Sequence, residues 1–106
     1  MKLENLSLIQ EKEMFPGYHG KLFHGEQLSW AFWRVDEGSA VPEHHHIHEQ
    51  IMHVISGRFE FTLDGTTKIC EAGDLIHIRS NQIHSGKALT DCVLMDVFSP
   101  ARDDYK

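Results

Sequence analysis

From residue 28 onward the chain is a succession of short segments with period-two alternation or high β-propensity, each closed by turn residues. They are LSWAFWRV at 28–35, QIMHVI at 50–55, RFEFTL at 58–63, TKIC at 67–70, DLIHI at 74–78 and CVLMDVF at 92–98. No segment repeats its apolar residues as an amphipathic helix must. Only LENLSLIQEKEMF near the start has room for a helical turn or two, and Pro16-Gly17 stops it. Asp64-Gly65 is a two-residue hairpin signal, and Ser56-Gly57 and Ala72-Gly73 mark two further reversals. The pattern predicts an all-β fold of short, sequential, antiparallel strands, closed into a barrel or sandwich. A chain this small protects its strand edges by closure or by pairing with a second copy.

With 106 residues, 41% hydrophobic and 25% charged, the chain has room for one domain with one core. Its net charge of -6 argues against an extended nucleic-acid or anionic-membrane footprint, so any anionic ligand must be drawn by a local site. The first fifteen residues lack the apolar core of a signal peptide and no stretch is apolar enough to span a bilayer; the expected location is cytoplasmic. Cys70 and Cys92 form no CxxC pair and read as two free thiols in strands.

Four of the nine histidines fall within PEHHHIHEQ at 42–50, a density unusual for core packing, and His84 follows much later, after a Gly-Asp turn and a strand. Residues two apart in a strand share a face, so His44 and His46 project together with Cβ atoms about 7 Å apart, near enough to grip one ion, while His45 points away. Two imidazoles from one strand and a third from a neighbour make the facial arrangement of many open metal sites. A straight strand from 44 to 50 would run about 20 Å, too long for both ends to meet one ion, so a ligand at Gln50 requires a bend after His46.

These positions resemble the first cupin motif: Gly38, His44, His46, Gln50 and Gly57 have its spacing, with Gln50 where many cupins have Glu. Gly73 and His84 fit the second motif, while Arg79 and Asn81 stand in place of its usual Pro and Gly, and Ala88 in place of its terminal Asn. More narrowly, HHHIHEQ and GDLIHIRSNQIHSGKALTDCVLMDVFSPARDDY resemble small single-domain cupins in which Gln is a metal ligand. That subgroup includes the pectin-degradation cupins that convert 4,5-unsaturated monouronates to linear ketonic sugars. It commonly has Pro at position 47, where this chain has Ile47. The resemblance implies a cupin jelly-roll barrel over about 28–99 within a single domain 1–106, residues 1–27 being an N-terminal extension. It implies His44, His46, Gln50 and His84 as ligands of one divalent ion, which the sequence leaves open among Zn, Ni, Mn and Fe. Should Gln50 be a polar strand residue that never touches the metal, His48 is the substitute ligand. The resemblance also implies Asp96, Phe98 and Arg102 as the substrate-facing, catalytic group. His45, His48 and His53 read as surface or supporting residues, and His19, His24 and His77 as structural.

Asp96 also stands out from the residues alone. It interrupts the apolar run VLMDVF, where an isolated charge is costly to bury without a partner. Arg79, Arg102 or a backbone amide could pair with it, or it could face the metal as a proton carrier. Arg102, beyond the Ser99-Pro100 break, can fold over the mouth and make a bidentate contact with a carboxylate. Three neutral imidazoles and a neutral amide leave the full charge of a divalent ion in place, which suits Lewis-acid work on a small anionic substrate. The expected activity is metal-dependent isomerisation or tautomerisation of a uronate. A dioxygenase using iron or copper, and a non-catalytic binding module, are the alternatives. Cupins of this size commonly form homodimers, and Trp30, Phe32 and Trp33 are material for an interface or a core.

Overall fold

The computed structural model describes residues 1–106 and is all-β. Its strands are β1 (Lys12–Phe15), β2 (Tyr18–His24), β3 (Ser29–Val35), β4 (Ala40–His44), β5 (Glu49–Ser56), β6 (Phe59–Leu63), β7 (Thr66–Cys70), β8 (Leu75–Ile78), β9 (His84–Ala88) and β10 (Cys92–Ser99), flanked by single 3₁₀ turns at Leu6–Leu8 and Asp103–Tyr105. They form two antiparallel sheets, one in the order β1-β2-β3-β10-β5-β8 and the other in the order β4-β9-β6-β7. Neighbours in space are therefore not always neighbours in sequence. The expectation of sequential strands holds only for β1-β2-β3 and β6-β7, because β10 inserts between β3 and β5 and β9 between β4 and β6. No helix is long and apolar enough to cross a membrane.

Period-two alternation decides which side chains fill the interior. In β3 the residues Ser29, Ala31, Trp33 and Val35 are buried while Trp30, Phe32 and Arg34 face outward, and in β10 Cys92, Leu94, Asp96 and Phe98 are buried. Trp33 thus belongs to the core, and Trp30 and Phe32 stack on each other on the outer face, 6.0 Å between ring centroids. Val35, Val54 and Ile78 are completely buried, each stabilising the fold by about 1.5–3 kcal/mol. Cys70 and Cys92 are buried free thiols.

The segment expected to make a helical turn does so only at Leu6–Leu8; Lys12–Phe15 is strand β1 instead. Pro16-Gly17 reverses the chain so that β1 pairs with β2, and β2 pairs along its whole length with β3. Residues 12–24 therefore extend the larger sheet, and Phe15 and Tyr18 reach its interior side.

Register places the site. Phe98 sits opposite Ser29 on one side and Gln50 on the other, and Asp96 opposite Ala31 and Met52. In the smaller sheet His84 sits opposite His44 and Leu63. One end of the molecule thus gathers two histidines from one sheet and Gln50, Asp96 and Phe98 from the other.

Candidate metal centre

The bend that Gln50 requires is present between β4, which ends at His44, and β5, which begins at Glu49. No proline imposes it. It is held by the Asn81 N–H donating to the His46 carbonyl at 2.7 Å and by the His46 ring donating to the His48 carbonyl at 3.0 Å. Asn81 itself has φ 63. Asparagine is among the few L-residues that tolerate this left-handed region, so it fills the position where the motif has glycine.

His44, His46 and His84 each offer one ring nitrogen to a common point, the three atoms lying within 4.8 Å of one another. Their other nitrogens are already committed. The Nδ1 of His44 donates to the Pro42 carbonyl at 2.9 Å, that of His46 to the His48 carbonyl at 3.0 Å, and that of His84 to the Gln82 carbonyl at 2.7 Å. A carbonyl can only accept, so each Nδ1 carries the hydrogen and each Nε2 presents a lone pair. Burial, with help from the nearby Arg102 charge, lowers the pKa of His46 to about 4. Burial also lowers that of His84. Neutral imidazole is the ligand form.

Gln50 joins this group through Asp96. Its amide Nε2 donates to Asp96 Oδ1 at 2.9 Å, which turns its carbonyl Oε1 toward His46 Nε2, 3.1 Å away. Two lone pairs face each other there with no hydrogen between them. Adjacent ligands of one ion with bonds of roughly 2.0–2.2 Å lie about 3.0–3.4 Å apart, so a cation between these two acceptors resolves the opposition. The donor set therefore fits a divalent ion held by His44, His46, His84 and Gln50. His48 is buried beside Phe98 and His46, outside this group, with Nδ1 lacking a partner.

Asp96 is buried and accepts from Trp33 Nε1 and Gln50 Nε2, both at 2.9 Å. Sequence reasoning offered Arg79, Arg102 or a backbone amide as its structural partner; the partners are an indole and an amide. Desolvation raises its pKa from 3.8 to about 6, against the opposing pull of these two donors and of Arg102. Arg102 is buried too, its guanidinium 3.9 Å from the Tyr105 ring centroid and 4.7 Å from that of Phe98. The bidentate carboxylate contact expected of it is made with Asp104 of its own tail. Phe98 packs edge-on to His46 at 5.9 Å.

All seven residues singled out in the sequence line one cavity of about 380 Å³. Residues the sequence did not reveal complete it: Phe15, Tyr18, Trp33 and Tyr105 form an aromatic wall, with Phe15 stacked on Trp33 at 6.2 Å and Tyr105 edge-on to it at 6.2 Å. The sequence left Trp33 open between an interface and a core, and nothing local marked Phe15 or Tyr105.

A two-sheet antiparallel barrel whose open end gathers three imidazoles and an amide carbonyl is a cupin-type barrel with a group able to bind a metal. The chain belongs to the cupin domain family, whose model matches residues 31–98. Among relatives, it is 38% identical over 65 residues to the pectin degradation protein KdgF of Dickeya dadantii (strain 3937), a match covering 60% of this chain and 59% of that protein. KdgF from Halomonas sp. superposes with a TM-score of 0.87 at 31% identity, over 92% of this chain and 91% of that one. An RmlC-like cupin from Shewanella frigidimarina NCIMB 400 superposes with a TM-score of 0.95 at 25% identity, over 100% and 96% of the two chains. Salicylate 1,2-dioxygenase from Pseudoaminobacter salicylatoxidans, at 19% identity and a TM-score of 0.77 over 81% of this chain and 26% of that one, shares the fold.

Proposed function

We propose that the protein is a metal-dependent cupin that opens and tautomerises a 4,5-unsaturated uronate to its linear keto form. The observation that carries this reading is the joint presence, on one cavity, of a neutral metal-ligand set, a buried carboxyl near neutrality and a buried guanidinium. The likeness to two proteins named KdgF, one of them described as a pectin degradation protein, supports it.

His44, His46, His84 and the Gln50 carbonyl would hold the ion, and Lewis-acid polarisation of a substrate oxygen is what a divalent metal supplies when bound there. Because these four ligands are neutral, the site keeps its full positive charge and favours an anionic substrate. Arg102 binds the carboxylate, and Phe98 with the aromatic wall shapes the space for a flat, unsaturated ring. Asp96 carries the proton. It removes the hydrogen of the anomeric hydroxyl as the bond from C1 to the ring oxygen breaks, which leaves an aldehyde at C1 and an enolate at C5. It then delivers that proton to C4, and the enolate becomes a ketone. A carboxyl with a pKa near 6 is suited to both directions of transfer, a contribution of about 10²–10⁴-fold. Each Asp96 oxygen accepts one protein hydrogen bond, which leaves lone-pair capacity for the substrate.

The test follows the ultraviolet absorbance of the conjugated double bond in freshly generated 4,5-unsaturated galacturonate and mannuronate, with metal-loaded wild type, Asp96→Asn and no protein. The expected result is a clear acceleration by wild type over the spontaneous rate that is lost in Asp96→Asn at equal metal content. Wild-type protein with full metal and no acceleration would refute the uronate assignment.

A further inference from the structure

The last residues of the chain finish the cavity wall. The Arg102 backbone N–H donates to Ser29 Oγ at 2.7 Å, fixing the tail against β3. From this anchor the guanidinium runs along the rings of Tyr105 and Phe98, and its Nε and Nη2 donate to the two oxygens of Asp104 at 3.0 and 2.9 Å. The pair is asymmetric: the Arg102 side chain is 7% exposed and that of Asp104 56%. Asp104, partly exposed and itself at the rim of the cavity, grips one edge of the guanidinium. Nη1 takes no part in the pairing with Asp104, and the Arg102 side chain, with the Tyr105 hydroxyl beside it, lines the cavity. A free arginine samples many rotamers and must be ordered at each binding event; this one is ordered beforehand.

We propose that Asp104 is a positioning residue for anion recognition. It holds Arg102 so that the Nη1 end of the guanidinium, which Asp104 does not engage, receives the carboxylate of a small sugar acid. This inference rests on the reading of Arg102 as the carboxylate-binding group. The opposite role, a carboxylate that the substrate must displace, predicts the opposite sign in the same experiment.

The experiment measures kcat and KM for 4,5-unsaturated galacturonate with metal-loaded wild type, Asp104→Asn, Asp104→Glu, Arg102→Gln and the Arg102→Gln/Asp104→Asn double variant, at matched metal content. In Asp104→Asn, KM is expected to rise about three- to tenfold, the cost of ordering one long side chain on binding, with kcat within about twofold of wild type. Asp104→Glu recovers most of the loss, and Asp104→Asn adds nothing once Arg102 is Gln. An unchanged or lowered KM in Asp104→Asn overturns the inference, as does a fall in kcat alone or an equal effect in the Arg102→Gln background. The wild-type rate is read separately: a rate at the no-protein baseline overturns the uronate reading and this inference with it, whereas an active wild type matched by Asp104→Asn overturns this inference alone.

Discussion

Replacing Asp96 by Asn should change how stability responds to pH, and the size of the change follows from burial. In the metal-free protein the Asp96 carboxyl titrates near 6 instead of 3.8, because desolvation outweighs the hydrogen bonds from Gln50 and Trp33. A shift of that size makes ionisation in the folded state about 3 kcal/mol harder than in the unfolded chain. Below pH 3.8 the group is protonated in both states and the native state loses nothing. As pH rises through about 6 the folded protein must ionise a buried carboxyl, and the stability is lost. His46, with its pKa lowered to about 4, works in the opposite direction over a similar range, but it is present in both proteins and cancels in their difference. Asn at 96 does not titrate. It turns an amide donor toward the donor of Gln50 or Trp33, a pH-independent penalty of about 1–3 kcal/mol. Urea unfolding of chelator-treated wild type and Asp96→Asn between pH 4 and 7 separates the two effects. Wild type should lose about 2.4 kcal/mol relative to the variant across that interval. Parallel stability curves would refute the claim that burial governs this carboxyl.

The remaining expectations concern the ligands and one tight turn between β5 and β6. His46→Ala and His84→Ala should each lower affinity for zinc more than about 100-fold and Gln50→Leu about tenfold, measured by calorimetry, since an amide is a weaker ligand than an imidazole. Because the pKa values of His46 and His84 are lowered, protons compete weakly at mildly acidic pH. Zinc affinity between pH 7 and 5.5 should therefore fall by well under roughly 100-fold, the loss that two ordinary imidazoles would give, and a thousandfold fall in competition titrations would contradict this. Gly57 has φ 88, and an added Cβ would lie 2.3 Å from the Asp91 carbonyl oxygen. Gly57→Ala should destabilise the protein by at least about 2 kcal/mol in urea unfolding.

Period-two alternation or high β-propensity marked six of the ten strands. It missed β4 and β9, whose sequences AVPEH and HSGKA bury little and are held by pairing with each other and with β6. It missed β1 and β2 because KEMF and YHGKLFH gain their places by pairing with each other across the Pro16-Gly17 turn and with β3, a tertiary reward that local propensity does not register. The resemblance pointed to His44, His46, Gln50 and His84, and these four side chains line one cavity, the three imidazoles close enough to hold a metal. The wiring among them was not legible. That Asp96 orients the Gln50 amide, that Trp33 is its second donor, and that Phe15 and Tyr105 close the wall depend on strand order, above all on β10 lying between β3 and β5. No window of sequence contains that adjacency. The Arg102–Asp104 pair was two residues apart in plain view, but a charge pair in a tail is ordinarily solvated, and only burial against Tyr105 and Phe98 sets this one apart.

The metal centre is tested most directly by X-ray absorption on the purified protein loaded with zinc, with bound metal quantified in the same sample. The expected spectrum shows one ion per chain in a shell of nitrogen and oxygen donors, with the multiple scattering of three imidazoles. That scattering should drop by one imidazole's share in His84→Ala. A sub-stoichiometric metal content, a sulfur donor in the shell, or a spectrum unchanged by His84→Ala would contradict a site built from His44, His46, His84 and Gln50.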